Sequence, residues 1–188
     1  MITLEQRVAM LEATEAIRQL KARYSGLADQ KYTASYQRQP ASRMQKIARA
    51  QAACFTEDAV WEGGAEFGAS LVGREALGEW FNRSPWCFAL HYYVSPEISV
   101  HGRTAAATWR LWQIALRDEN KHAVLLGAIT AEEYAQQDDG QWLCSRMRFE
   151  QTQMLPIEAG AFPLVTSFTQ ISDAGHRASQ LFNNLSTT

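Results

Sequence analysis

Three side chains in this sequence can exchange or hold a proton: Tyr24 and Asp29 in the stretch ARYSGLAD, and His91 in the stretch FALHYYV. An imidazole has an ordinary pKa of about 6.5, so it can take and return a proton near neutral pH. A phenol can polarise a carbonyl group or protonate a leaving oxygen. A carboxylate can orient an imidazole ring, or act as the base itself. These residue types indicate acid–base chemistry.

Each of the three residues also has a purely structural interpretation. His91 lies in an apolar and aromatic run, where it can be a core histidine hydrogen-bonded to the backbone. Tyr24 lies on the apolar stripe of a predicted helix and can be a core tyrosine with a buried hydroxyl hydrogen bond. Asp29 can be a solvated carboxylate at the end of that helix. The residues taken alone leave both interpretations open.

Two apolar stripes near the start of the chain indicate the helical structure that carries Tyr24. Because the stripes are offset, they predict two consecutive helices or one kinked helix. Asp29 is five residues after Tyr24, about 140° around a regular helix. It can join Tyr24 only if the helix ends near Gly26, which a glycine permits. The first stripe is Leu4, Val8 and Leu11, and the second is Ala13, Ile17, Leu20, Tyr24 and Leu27.

Helical patterns fill the first half of the chain and strand patterns the second. A loop over residues 30–40, a second helix, the short strand DAVWEGG and a third helix over REALGEWFNRS precede the change. From Leu90 to Leu155, runs rich in β-branched and aromatic residues predict a meander of four antiparallel strands. This order indicates an α+β domain. We expect the domain to span residues 1–156 and residues 157–188 to form a tail that packs on its own domain or on a neighbour.

The composition argues against several classes of function. The chain has 188 residues, 46% of them hydrophobic, which suffices for one core. Its formal net charge of -2 gives no field that would recruit nucleic acid or an anionic membrane. No stretch reaches about 18 consecutive apolar residues, and the N-terminus lacks a basic region followed by an apolar run. We therefore expect a cytoplasmic protein without nucleic-acid or membrane partners.

The cysteines and histidines do not indicate a metal site or a disulfide framework. Cys54, Cys87 and Cys144 are far apart, odd in number and without CxxC spacing, so we expect buried free thiols. The four histidines lack metal-ligand spacing, and the sequence has no HExxH motif or phosphate-binding glycine loop. We expect no metal and no cofactor.

The order of the motifs resembles that of a known superfamily. In chain order they are the helix end Y-x-x-x-x-D, ACFTEDAVWEGG, GREALGEWF, FALHYY and DDGQWLCSRMRFE. Together they resemble the SnoaL-like branch of the nuclear transport factor 2-like superfamily. The resemblance implies a cone, in which helices cover the concave face of a curved antiparallel sheet and enclose an apolar pocket. It implies enzymes without metal or organic cofactor, and also noncatalytic binding and assembly domains.

The resemblance also implies where the reaction takes place. Dehydratases of this superfamily pair a tyrosine and an aspartate of the first long helix with a histidine at the start of the sheet. Carried onto this sequence, the catalytic residues are Tyr24, Asp29 and His91, with either His91 or Asp29 as the base. Aromatic residues at the strand positions are predicted to form the substrate-binding wall: Trp86, Phe88, Tyr93, Trp109 and Trp112.

Two arginines near the end of the sheet are candidates for binding a negative charge. Arg146 and Arg148 share strand parity with Trp142 and Cys144, so one or both are predicted to face the concavity. There they would bind a phenolate, enolate or carboxylate. The alternative is that they are solvated on the outer face.

The combined reading predicts a cofactor-independent lyase that acts on a hydrophobic aromatic or polycyclic small molecule. A dehydratase is the first choice, and a carbon–carbon lyase such as a deformylating diarylpropane lyase is the second. An isomerase or cyclase with the same pocket and a noncatalytic binding or assembly domain stay open. We expect a homodimer or homotrimer, because open sheet faces in this fold are commonly covered by a second copy.

Overall fold

A computed structural model describes residues 2–64, 68, 70–119 and 122–157. The helices are α1 (Leu4–Asp29), α2 (Ala41–Ala52) and α3 (Arg74–Asn82). The strands are β1 (Phe55–Glu62), β2 (Leu71–Val72), β3 (Trp86–His101), β4 (Thr104–Arg117), β5 (Ala123–Gln136) and β6 (Trp142–Pro156). Apart from Ile157, the predicted tail lies outside the described residues.

The strands form one curved and unclosed sheet with the order β2-β1-β6-β5-β4-β3. The neighbours β1 and β6 run parallel, and the other pairs are antiparallel. The predicted meander is therefore confirmed as β3 to β6, and the helices cover the concave face. This arrangement is the α+β cone that the sequence predicted.

Helix α1 runs unbroken from Leu4 to Asp29, so the predicted kink and the predicted end near Gly26 are both wrong. The N–H of Gln30 still donates to Gly26 O at 3.0 Å, as in a regular helix. The offset between the two stripes has another cause. The first stripe is exposed to solvent in this chain, whereas the second packs against the sheet.

The match between helix rise and strand rise explains why no break is needed. Five helix residues advance by about 7.5 Å, and two strand residues advance by about 6.7 Å. Tyr24 packs against Tyr93, and Asp29 is hydrogen-bonded to His91, two positions earlier in β3. Both residues of α1 therefore reach the same strand at successive inward-facing positions.

The narrow part of the cone is filled by aromatic and small apolar side chains. Ile17 and Phe55 are fully buried in this core, which also includes Trp61, Trp109 and Tyr134. All three cysteines are buried free thiols, as predicted. Within the described residues, no helix is both long and apolar enough to cross a membrane.

Candidate active site

Asp29 and His91 form a hydrogen-bonded pair where α1 meets β3. The Oδ1 atom of Asp29 accepts a hydrogen bond from the backbone N–H of His91 at 2.9 Å and lies 2.7 Å from the ring Nδ1. A carboxylate oxygen only accepts hydrogen bonds, so Nδ1 carries the proton. The other ring nitrogen, Nε2, is then the atom with a free lone pair. The pair thus presents a proton acceptor with a fixed orientation.

The surroundings of His91 keep its ring neutral. Burial lowers the pKa of His91 below its ordinary value of 6.5, and the positive charges of Lys31 and Lys21 lower it further. The hydrogen bond and the charge of Asp29 act in the opposite direction. A neutral imidazole at neutral pH can act as a general base as soon as a ligand is bound.

Tyr24 lies deeper in the cone, beside the inward-facing Tyr93. The two rings meet edge to face with centroids 6.0 Å apart, and Tyr24 also packs against Phe55 and Phe81 at 5.7 and 6.0 Å. Burial raises the pKa of both phenols well above the ordinary value of 10.0, so both hydroxyls stay protonated. Tyr24 is therefore part of the packed core that bounds the site, and its hydroxyl is a donor.

A buried ion pair behind Tyr24 was not predicted. Lys21 Nζ lies 2.5 Å from Glu132 Oε1, and both side chains are almost entirely inaccessible. Glu132 also accepts hydrogen bonds from the hydroxyls of Thr130 and Tyr134. Glu132 of β5 is thus tied to a lysine of α1 and to two neighbouring hydroxyls of its own strand.

The lysine completes the packing of the narrow end. Lys21 Nζ lies 3.6 Å from the centroid of the Tyr93 ring and 5.8 Å from that of Trp109. The cavity left between Lys21, Tyr24 and Glu132 is about 10 Å³, roughly the space of one water molecule. This end of the cone therefore has no room for a ligand larger than a water molecule. The position of Lys21, four residues after Ile17 on the buried face, was the available sequence signal.

A second cation, Lys31, lies beside the Asp29–His91 pair and was also missed. Its residue is only 6% exposed, and burial lowers its pKa from 10.5 to about 8, with the nearby charge of Asp29 opposing the shift. Within the described part of the chain its Nζ makes one hydrogen bond, to Phe81 O at 3.3 Å. A buried ammonium group with unused donors can hold a negative oxygen.

The two arginines proposed as anion-binding groups face away from the concave side. Arg146 is paired with Glu62 at 2.7 Å and Arg148 with Glu150 at 2.5 Å. The parity argument fails because β5 and β6 shift register between Glu133 and Tyr134. This irregularity inserts one extra residue into β6, so the inward positions change from Cys144 to Met147. Both arginines then fall on the outer face.

Three of the predicted wall residues also lie elsewhere. Trp112 is 51% exposed on the outer face, where its ring covers Gly127. Phe88 is on the side of β3 opposite His91 and packs against Tyr32 and Tyr36. Trp109 does face inward, but its Nε1 donates to Tyr134 OH in the closed core.

Trp86 is buried at the start of β3, where its carbonyl accepts a hydrogen bond from Arg38. Of the predicted wall, Tyr93 therefore lies both inward and next to His91 in the strand. A separate apolar cluster packs on this side of the sheet: Leu111, Leu126 and Ala128, with Tyr93, Phe149 and Met154 packed against it.

No metal site is found in the part of the chain that the structure describes, where no group of three or more His, Cys, Asp or Glu residues is placed to hold an ion. The site consists of the Asp29–His91 pair, with Lys31 beside it and Tyr24 and Tyr93 below it. This arrangement can remove a proton from a bound molecule and stabilise the resulting anion.

Comparison with known proteins gives one match by sequence and several by structure. Residues 45–148, more than half of the chain, match the sequence model of the SnoaL-like domain. No curated protein matches the chain significantly.

Solved structures share the fold at low sequence identity. The hexachlorocyclohexane dehydrochlorinase LinA-type3 from Novosphingobium barchaimii LL02 has a TM-score of 0.66 and 17% identity, covering 84% of this chain and 97% of its own. A protein provisionally assigned as a scytalone dehydratase, from Novosphingobium aromaticivorans DSM 12444, has a TM-score of 0.60 and 20% identity, covering 84% and 96%. A nuclear transport factor 2-like protein with a cystatin-like fold, also from Novosphingobium aromaticivorans, has a TM-score of 0.61 and 22% identity, covering 86% and 96%.

Proposed function

Since the chain belongs to the SnoaL-like domain family, a member of the nuclear transport factor 2-like superfamily, we propose that it is a cofactor-independent lyase. Its substrate is a hydrophobic aromatic or polycyclic small molecule. The observation that carries the proposal is the hydrogen bond of 2.7 Å between Asp29 Oδ1 and His91 Nδ1. Burial lowers the pKa of His91 and so favours a neutral ring, whose Nε2 is then unprotonated. A dehydrochlorinase and a provisionally assigned dehydratase among the structural neighbours support a reaction that begins with proton removal.

In the proposed first step, His91 Nε2 removes a proton from a carbon of the substrate. Asp29 stabilises the imidazolium that forms, because its carboxylate already accepts the Nδ1 proton at 2.7 Å. General base catalysis of this kind contributes about 10²- to 10⁴-fold to a rate. The ring need not reorient, so the geometry is ready before the substrate binds.

The negative charge that develops on the substrate needs a partner of opposite sign. Lys31 takes the role that the sequence had assigned to Arg146 or Arg148, since it is the cation whose charge acts on both Asp29 and His91. The Tyr24 hydroxyl, which burial keeps protonated, is the candidate donor to the leaving oxygen. A preorganised donor in a dry site is worth about 10²- to 10³-fold.

The leaving fragment decides between the two lyase reactions. In a dehydration, the pair of electrons from the broken C–H bond forms a double bond, and hydroxide leaves as water after taking a proton from the protein. In a carbon–carbon cleavage, the base takes a hydroxyl proton, formaldehyde leaves, and the carbanion is reprotonated. Dehydration is preferred because it needs only one proton taken by the base and one proton given to the leaving hydroxide by the donor. It does not need a later reprotonation of carbon.

The geometry favours catalysis over noncatalytic binding. A histidine that served only the core would be expected to bond its ring to a backbone carbonyl, whereas the His91 ring bonds to a carboxylate.

An isomerase would share the first step and differ only in where the proton returns, so its product has the mass of the substrate.

The test is a product screen by mass spectrometry. Lignin-type aromatics, sterols and polyketide-like phenols are incubated with the wild-type protein and with His91→Gln and Asp29→Asn. A lyase product lighter by one water or one formaldehyde, formed by wild type and lost in both variants, supports the proposal. Conversion that both variants retain contradicts it.

We also propose that the outer face of the sheet packs against a second copy of the chain, in a homodimer or homotrimer. Tyr92 and Trp112, paired across β3 and β4, are 50% and 51% exposed and lie beside exposed Val94. Adjacent exposed aromatics of this size are typical of an interface. Light scattering that shows only monomer would contradict this assignment.

A further inference from the structure

Gln113 occupies the position in the sheet directly opposite the proposed base. It lies in β4 and is paired in register with His91 of β3. Directly opposed residues in an antiparallel pair have Cβ atoms about 4.5–5.5 Å apart and lie on the same face. Gln113 therefore shares the concave face with His91, and its neighbours there are Leu111 and Leu126.

The side chain of Gln113 is buried but not fully hydrogen-bonded. The residue is 3% exposed, and its Nε2 has no hydrogen-bond partner among the described residues. A buried donor without a partner destabilises the folded state, and a leucine of similar length would avoid that cost. Such a donor, aimed into the face that carries the catalytic pair, indicates a ligand that supplies the acceptor.

The other unpaired atoms differ from Gln113 in where they lie. Gln51 Oε1, in α2, is an amide oxygen that can only accept a hydrogen bond. Thr56 Oγ1, in β1, is a hydroxyl. Neither residue is in register with His91. Among the described residues, Gln113 thus carries the buried amide donor without a partner at the end of the sheet where His91 meets Asp29.

We propose that Gln113 is a substrate-recognising residue that donates a hydrogen bond from Nε2 to a carbonyl oxygen of the substrate. The inference rests on the proposed function and narrows its substrate class to aromatic compounds that carry an acidic C–H on the carbon next to a carbonyl group. Proton removal by His91 places negative charge on that oxygen, so the hydrogen bond strengthens as the reaction proceeds.

The spacing across the strand pair fits this substrate class. A carbon facing His91 Nε2 and an oxygen facing Gln113 Nε2 lie on neighbouring strands, about 5 Å apart at the Cβ level. Long side chains converge over such a distance, which suits two atoms separated by one or two bonds. A purely hydrocarbon ligand would leave the amide unpaired, and the site is expected to reject it.

The test compares two ligands of the same shape, acetophenone and α-methylstyrene, which differ by a C=O in place of a C=CH₂ group. Binding is measured by tryptophan fluorescence or ligand-observed NMR for wild type, Gln113→Leu and Gln45→Leu. Gln45 is an exposed glutamine of α2, away from the outer face of the sheet, and is the matched control. We expect wild type and Gln45→Leu to prefer the ketone at least tenfold and Gln113→Leu to show a ratio near one or inverted.

A ketone preference that survives in Gln113→Leu, or no preference and no binding in wild type, would overturn the inference. Gln113→Glu serves if the leucine variant fails to fold, because a carboxylate repels the carbonyl oxygen and should also abolish the preference. His91→Gln separates the two claims. If it retains the ketone preference and full conversion, the proposed function fails while the recognition role of Gln113 stands.

Discussion

Asp29 Oδ1 binds His91 twice, through the backbone N–H at 2.9 Å and through the ring Nδ1 at 2.7 Å. The contact joins the last residue of α1 to an inward-facing residue of β3 that lies 62 positions further along the chain. One carboxylate thus fixes the position of the strand relative to the helix and the orientation of the imidazole. The structural and catalytic functions of Asp29 are expected to be coupled.

Asp29→Asn should lower kcat by about 10²- to 10⁴-fold, with a smaller effect on KM. The amide can still accept the backbone hydrogen bond, but it has no negative charge to stabilise the imidazolium. The measurement is steady-state kinetics on the product identified in the screen. Asp58→Asn, at an exposed position of β1, is the matched control and should leave kcat unchanged. An Asp29→Asn enzyme as fast as this control would refute the role of the carboxylate.

The pH dependence of kcat/KM should be bell-shaped, with both limbs displaced from the ordinary values. His91 acts as a base only when neutral, and burial lowers its pKa, so the acid limb should lie below 6.5. Lys31 acts only when protonated, and its pKa of about 8 sets the alkaline limb. Activity thus rises as pH increases through the first pKa and falls through the second. An alkaline limb near the ordinary lysine value would contradict the role of Lys31.

Lys31→Met should remove the alkaline limb and lower kcat/KM by about 10²-fold.

Lys31→Met should also stabilise the protein. Because the pKa of Lys31 falls from 10.5 to about 8 on folding, the unfolded chain binds more protons between these values, and stability rises with pH in that window. A shift of this size corresponds to about 3 kcal/mol.

Thermal unfolding across this pH range checks the expected stability difference. Wild type should gain stability from about pH 8 upward relative to Lys31→Met, and the gap between them should close. Lys46→Met changes an exposed lysine of α2 and should follow wild type. A Lys31→Met protein that is less stable than wild type at neutral pH would contradict an unfavourably buried charge.

Removing one charge of the Lys21–Glu132 ion pair should cost more stability than removing both charges. Lys21→Met leaves a buried carboxylate without its cation, and we expect a loss of about 3–5 kcal/mol in the free energy of unfolding. The double variant with Glu132→Gln removes both charges. The amide oxygen keeps an acceptor for one of the hydroxyls of Thr130 and Tyr134, and the amide N–H can donate to the oxygen of the other, so the double variant should recover much of that loss. Urea denaturation measures both. Additive losses in the double variant would mean that the pair is not coupled.

The sequence was sufficient to predict the order of elements and the meeting of Asp29 with His91. Strand periodicity from Leu90 onward and the motif order carried those predictions. The alternation of side chains along a strand could also have excluded some of the residues predicted to form the aromatic wall. Phe88 and His91 are three positions apart, as are Trp109 and Trp112, and in a regular strand such residues lie on opposite faces.

Other errors depended on features that periodicity does not encode. The register shift in β6 moves Arg146 and Arg148 outward, and nothing in the local composition marks the extra residue. The continuity of α1 depends on tertiary contacts with β3, which override the permissive glycine at position 26. Lys21 and Lys31 were missed because lysines are rarely buried, and it is the fold that supplies their partners.

Proton exchange at carbon tests the central claim most directly. Acetophenone and larger aryl ketones are incubated with the protein in D₂O, and deuterium incorporation next to the carbonyl is followed by NMR, with His91→Gln alongside. If Nε2 of His91 is the base, wild type should exchange bound ketones at least 10²-fold faster than this variant. Equal exchange in the two proteins, or none with any ketone that binds, would show that His91 does not remove a proton from the ligand.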